Sequence, residues 1–168
     1  MRRIVAVVAV SALLAACSSN PVKTEAEAPA STAKSMPAAA QPTANTETDA
    51  QRMARIIKTL AANSVYFDYD DYSVKAQYHD ILKQDYDFLK SSPQVRVTVT
   101  GNADERGSTE YNLALGQKRA EAVARALRTL GVPDAQLEAV SYGEEKPRAA
   151  CHEEKCWTEN RRADFSFK

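Results

Sequence analysis

Apolar residues recur along this chain with two periods, and the switches between them mark its elements. Order is expected to begin near Asp49, the predicted N-cap of a short helix in which Met53, Ile56, Ile57 and Leu60 share one face. VYFDY, 65–69, then alternates as a strand, with Val65, Phe67 and Tyr69 on one side. DDYS follows as a turn cluster. Over 74–92, Val74, Tyr78, Ile81, Leu82, Phe88 and Leu89 form a helical stripe, and Pro93 forbids its continuation. His79 falls off that stripe and is expected to face solvent. VRVTVT, 95–100, alternates again. A third helix carries Leu113, Ala120, Val123, Leu127 and Leu130 on one face and is ended by Gly131 and Pro133. LEAVSYG, 137–143, and ADFSF, 163–167, read as strands, separated by a loop holding Pro147, Cys151 and Cys156. The predicted order is β-α-β-α-β-β, preceded by a short helix. That order describes an α+β domain over 49–168, a mixed sheet with helices packed on it.

The chain ahead of this domain has a different composition. MRR is a positive start, IVAVVAVSALL an apolar run too short to cross a bilayer comfortably, and LAAC ends it. Residues 1–16 therefore read as an export signal. Leu14-Ala15-Ala16-Cys17 resembles the lipobox of bacterial lipoproteins, which implies cleavage before Cys17 and acylation of that cysteine. Ser18 rather than Asp follows it, which under the enteric sorting rule implies the outer membrane. Residues 17–48 are rich in Ala, Pro, Thr and Ser and have no aromatic residue. Such a stretch cannot bury enough surface to offset its ordering entropy, so it is expected to be a tether between lipid and domain.

The 22 basic and 22 acidic residues balance. No basic field exists to hold a nucleic-acid backbone. With Cys17 assigned to lipid, Cys151 and Cys156 remain as a pair in an exported chain, and such a pair reads as a disulfide. The ring it closes is short, so it is expected to stabilise by about 2 kcal/mol at most. A metal site built from these cysteines and His152 lacks a clear fourth ligand.

The candidate chemistry lies in TGNADERGSTEYN, 100–112, between the second long strand and the third helix. Gly101 and Gly107 bracket Asp104, Glu105 and Arg106. In the following helix Asn112, Leu115 and Arg119 lie along one side, distinct from the apolar stripe. If the loop folds over the start of this helix, Asp104 and Arg119 flank one small cleft. A carboxylate and a guanidinium so placed suit a zwitterion: Asp104 accepts from an ammonium, and Arg119 grips a carboxylate in fork geometry. The alternative is a solvated loop charge and a solvated helix charge.

VYFDYD, GNADERGSTEYN, LGQKRAEAV, VSYGEEKP and ENRRADF, in that order from residue 64 onward, resemble the peptidoglycan-associated lipoproteins and their OmpA-like domain. The resemblance implies an OmpA-like fold, no cofactor, and noncovalent binding of the peptidoglycan stem peptide through meso-diaminopimelate. The family's key Asp falls on Asp104 and its key Arg on Arg119. Tyr69 and Asp70 match positions that contact the peptide, Ala103 and Leu115 match backbone or apolar contacts, and Asn112 matches a prominent motif position. A role for Asn112 in local hydrogen bonding at the helix end is equally open. Arg161 is expected to make a structural ion pair. Tyr142, Gly143 and Pro147 are expected to shape the neighbouring loop. Many family members carry His where this chain has Asn102, and an amide cannot charge near neutral pH.

The resemblance further implies an outer-membrane tether with its domain in the periplasm. It implies a Tol-Pal role in envelope integrity and cell division, with TolB and other Tol proteins as partners. The rival readings are a cell-wall hydrolase using Asp104 and Glu105, and a purely structural lipoprotein without ligand. Adjacent loop carboxylates usually diverge, and neither G-x-S-x-G nor H-E-x-x-H is evident.

Overall fold

The computed structural model describes residues 47–168. The expected leader, Cys17 and most of the tether lie outside the described residues. Helix α1 spans Asp49–Ala61. Its N-cap is Thr48, one residue before the expected Asp49, because Thr48 and Gln51 close a capping box. Strand β1 is only Ser64–Tyr66, and α2 covers His79–Ser91 after a 3-10 turn at Ala76–Tyr78. Strand β2 runs Val97–Asn102, α3 runs Thr109–Leu130, and β3 runs Leu137–Gly143. A further helix, α4, at Glu154–Asn160 precedes β4 at Arg162–Phe167.

The sheet order is β1-β4-β2-β3. Strand β4 lies antiparallel to both β1 and β2, whereas β2 and β3 are parallel and joined by α3. This is the expected mixed sheet, with helices packed on it. Val97 and Val99 of β2 are buried, with Thr98 between them only partly so, as in a sheet packed against helices. Leu60, Leu82, Leu89, Val123 and Leu127 from the helices meet Val65, Phe67, Phe165 and Phe167 in one core. Phe88 and Phe167 pack edge to face at 5.6 Å between centroids.

Four local expectations are corrected. The first strand stops at Tyr66: Phe67 is still buried and bonded to the Arg161 carbonyl, but the chain then turns through Asp68–Asp71. Tyr69 is consequently 61% exposed rather than on the core side. Strand β2 sits two residues later than VRVTVT predicts and carries Gly101 and Asn102 to the end of the sheet. Helix α3 begins at Thr109 because Ser108 caps it, and Leu113 and Leu130 are exposed although Ala120, Val123 and Leu127 are fully buried. The buried face of α3 changes along its length. Its second half faces the core; its first half buries Asn112, Leu115, Gly116 and Arg119. Finally, the cysteine segment is not all loop, because α4 lies within it.

Two glycines set the height of α3 over the sheet. A methyl group on Gly101 would lie 1.8 Å from the Gly116 carbonyl oxygen, and one on Gly116 would lie 2.3 Å from Ser141 Oγ. Backbone therefore meets backbone at this crossing. One turn beyond it, Arg119 Nη1 reaches the carbonyl of Asn102 at 2.9 Å.

Candidate functional site

The end of β2 and the start of α3 enclose a cleft of about 120 Å³. That is well below the roughly 300–1,000 Å³ of a pocket that takes a whole small-molecule ligand, so the space suits a small charged group. Tyr69, Asp70, Asp104, Arg106, Asn112 and Arg119 line it, together with Leu115, Gly107, Tyr111 and Arg161.

Asp104 and Arg119 do share this cleft, but neither is free in the simple sense expected. Arg119 is fully buried, and its Nε, Nη1 and Nη2 donate to the carbonyls of Asp71, Asn102 and Asp68 at 2.8, 2.9 and 3.1 Å. Only the second N–H of each Nη remains for another acceptor. Burial pulls this guanidinium down to about 10, partly offset by the nearby Asp104 carboxylate, so it stays cationic at neutral pH. Asp104 is also buried. It accepts from the Arg106 backbone N–H at 3.0 Å, from Arg106 Nη2 at 2.7 Å and from Arg161 Nη1 at 3.1 Å. Burial alone would raise its carboxyl; the Arg106 and Arg161 hydrogen bonds outweigh that and hold it below the usual carboxylate range.

The turn after β1 supplies the opposite wall. Asp70 has φ 55°, a left-handed conformation that Asp tolerates better than most residues. Its carboxylate accepts from the Tyr111 hydroxyl of α3, which ties the two walls together. The Asp71 carboxylate closes a tight turn by accepting from Ser73 N at 2.9 Å. Asn112 is buried and donates to Glu144, binding α3 to the loop after β3. Of the predicted contacts, Ala103 is buried beside a separate depression, away from this cleft, and its N–H donates to the Gly143 carbonyl at 2.7 Å. Asn102 does not line the cleft either; its amide donates to the carbonyls of Thr100 and Arg162 at the sheet end.

Sequence reasoning missed Arg106, Gly107 and Tyr111 as lining residues. It placed Arg161 in a structural ion pair, which Arg161 makes with Asp104 and Glu154, but Arg161 also reaches the cleft. Arg106 lies between the Tyr69 and Trp157 rings, 4.2 and 4.1 Å from their centroids. Glu105 turns away from Asp104, accepts from Trp157 Nε1 at 2.8 Å and contacts His152 Nδ1 at 2.7 Å. Those contacts, the Trp157 bond first, hold its carboxyl below the usual range. Cys151 and Cys156 are joined in a disulfide with their Cα atoms 5.6 Å apart, so they offer no thiolate to a metal.

The OmpA family model matches residues 66–161. A peptidoglycan-associated lipoprotein of Pasteurella multocida (strain Pm70) is 47% identical over 105 residues, 62% of this chain and 70% of that protein. Its counterpart in Haemophilus influenzae (strain Rd) is 46% identical over the same length, 62% of this chain and 69% of that protein. The crystal structure of the peptidoglycan-associated lipoprotein from Burkholderia pseudomallei superposes with a TM-score of 0.63 at 59% identity, covering 65% of this chain and 93% of that one. The C-terminal domain of Helicobacter pylori MotB shares the fold at 20% identity and a TM-score of 0.58, covering 63% of this chain and 84% of that one. On the extent and identity of these matches, the chain belongs to the OmpA family, among the peptidoglycan-associated lipoproteins.

Proposed function

We propose that the chain is a noncatalytic tether that binds the peptidoglycan stem peptide through a diaminopimelate residue. That residue carries an ammonium and a carboxylate on one carbon. The observation that carries the reading is a headgroup-sized cleft lined at once by Asp70 and Asp104 and by Arg106, Arg119 and Arg161. The ammonium is received between Asp104 and Asp70, whose one side-chain hydrogen bond among the described residues is from the Tyr111 hydroxyl. The carboxylate takes the spare N–H groups of Arg119. Leu115 and Tyr69 shield these contacts from water, which strengthens them.

On this reading residues 1–16 are removed, Cys17 bears lipid in the outer membrane, 17–48 span to the wall, and 49–168 bind it in the periplasm. Among the described residues no helix is long and apolar enough to cross a membrane. A Tol-Pal role in envelope integrity and cell division, with TolB and other Tol proteins as partners, follows from the family. The hydrolase reading loses support because Asp104 and Glu105 face different depressions. A carboxyl held low by two guanidiniums is also a poor general acid.

The test is retention of the full chain, purified in detergent, on isolated peptidoglycan, with free meso-diaminopimelate as competitor. Arg119→Ala is unsuitable, because it would orphan three carbonyls at about 1–3 kcal/mol each. Arg119→Lys keeps the charge and loses the fork; Asp104→Asn keeps the shape and loses the charge. Each is expected to weaken wall binding by about 2–5 kcal/mol, whereas loss of an exposed pair would cost under about 1 kcal/mol. Glu105 is not a neutral control, since it anchors Trp157 and His152; Glu121, on the exposed face of α3, is. Retention of both variants at the level of wild type would refute the paired-charge cleft.

A further inference from the structure

One short segment grips the charged loop residue by residue. Asp104 accepts from Arg161 at 3.1 Å. Glu105 is held by Trp157 and His152. Arg106 has the Trp157 ring on one side and pairs with Glu154 at 3.5 Å. Apart from Tyr69, every one of these partners falls within 152–161. The segment is pinned at its far end where Arg161 donates to the Phe67 carbonyl and α4 passes into β4. At its near end the Cys151–Cys156 disulfide closes the segment on itself. Helix α4 has seven residues and no side-chain N-cap bond, so it is too short to persist on intrinsic propensity. The bridge closes a ring around its first turn.

We propose that the disulfide-closed segment 151–161 is the positioning clamp of the ligand cleft. The bridge fixes the first turn of α4, α4 sets Trp157 and Glu154 against Arg106, and Arg106 sets the shape and charge of the Asp104 wall. The clamp rests on the peptide-binding reading above and adds a consequence to it: the cleft answers to redox state. A dithiol reductant supplies the two electrons. Its thiolate attacks the Sγ of Cys151, the less buried of the two cysteines, and Cys156 leaves as a thiolate that takes up a proton. The reductant's second thiol then closes its own disulfide and releases the Cys151 thiol. The core of Val97, Phe165 and Leu127 lies elsewhere in the fold, so the domain survives this change.

Trp157 is the only tryptophan in the chain, so intrinsic fluorescence reads the clamp directly. Affinity for isolated peptidoglycan and for free meso-diaminopimelate is measured on the full chain in detergent. The forms compared are oxidised wild type, dithiothreitol-reduced wild type, Cys151→Ser/Cys156→Ser, Arg106→Gln, and the triple variant. Loss of the bridge is expected to shift Trp157 emission and weaken binding about five-fold, the scale of one well-packed cation–π contact. In the Arg106→Gln background, loss of the bridge should make no further difference, because the bridge acts through Arg106. Trp157→Phe should retain most of the affinity and Trp157→Leu should lose as much as bridge removal. An unchanged affinity on reduction, or an equal loss in both backgrounds, overturns the clamp while leaving the peptide-binding reading intact. Failure of oxidised wild type to bind either ligand refutes that reading and the clamp with it.

Discussion

Asp85 sits fully buried in the middle of α2, and neither of its carboxylate oxygens has a hydrogen-bond partner. Burial pushes its carboxyl up from 3.8 to about 8. The unfolded chain releases this proton near 3.8 and the folded one near 8. Between those values the folded state binds the extra proton, so stability falls as pH rises; outside them this group contributes no slope. At 1.36 kcal/mol per unit, about three units separate the unfolded value from pH 7, which corresponds to a loss of about 4 kcal/mol. A domain stabilised by about 5–15 kcal/mol feels that strongly. Asp85→Asn keeps the volume and the buried polarity but removes the titration. The variant should match wild type near pH 4 and exceed it by about 4 kcal/mol at pH 7. Urea unfolding at closely spaced pH values from 4.5 to 8.5 measures the difference. Asp104, Glu105 and Glu154 have lowered values, and their stabilisation is lost only as pH falls through those values, so they do not mask this window. Parallel pH profiles for wild type and Asp85→Asn would show that the carboxylate is hydrated or paired and refute the argument.

Gly116→Ala places a methyl group against Ser141 Oγ and the Gly101 carbonyl, and should destabilise by about 1–3 kcal/mol in the same unfolding assay. Its wall binding should fall as well, since Arg119 is aimed from the turn that follows. Cys17→Ser should abolish lipidation and release the chain from membranes, read by mass spectrometry of the mature N-terminus and by fractionation; a wild-type N-terminus that is unmodified or begins elsewhere would contradict the anchor.

The fold was legible wherever a segment buries one continuous face. Strand β4 and the core half of α3 are read from periodicity alone because Ala163, Phe165 and Phe167 of the strand and Ala120, Val123 and Leu127 of the helix each bury one face in the apolar core. The pattern misleads where a helix changes what it faces. Leu113 belongs to the heptad of Ala120 and Leu127, yet a straight helix drifts about 20° per heptad and the front of α3 is seated on Gly101 rather than on the core. Helix α4 has no stripe to read: its buried residues are Cys156 and Asn160, and a bridge and a loop hold it.

At the site, motif spacing was enough to bring Asp104 and Arg119 to one cleft but not to say what already holds them. Apart from Arg106 beside Asp104, their partners lie from 17 to 57 residues away, and a backbone acceptor leaves no trace in residue type. Arg119 is the clearest case. Its three carbonyl bonds join the turn at Asp68 and Asp71 to the end of β2 at Asn102. Tyr69 and Asp70 lie within that turn, and Asp104 lies two residues past Asn102. The buried cation therefore assembles the two walls of the cleft before any ligand arrives. A buried charge without such partners would be strongly destabilising, so its burial implies that those carbonyls are fixed as well. An arginine built into the scaffold in this way meets a carboxylate with little further ordering of its own side chain, and preorganisation of that kind favours affinity.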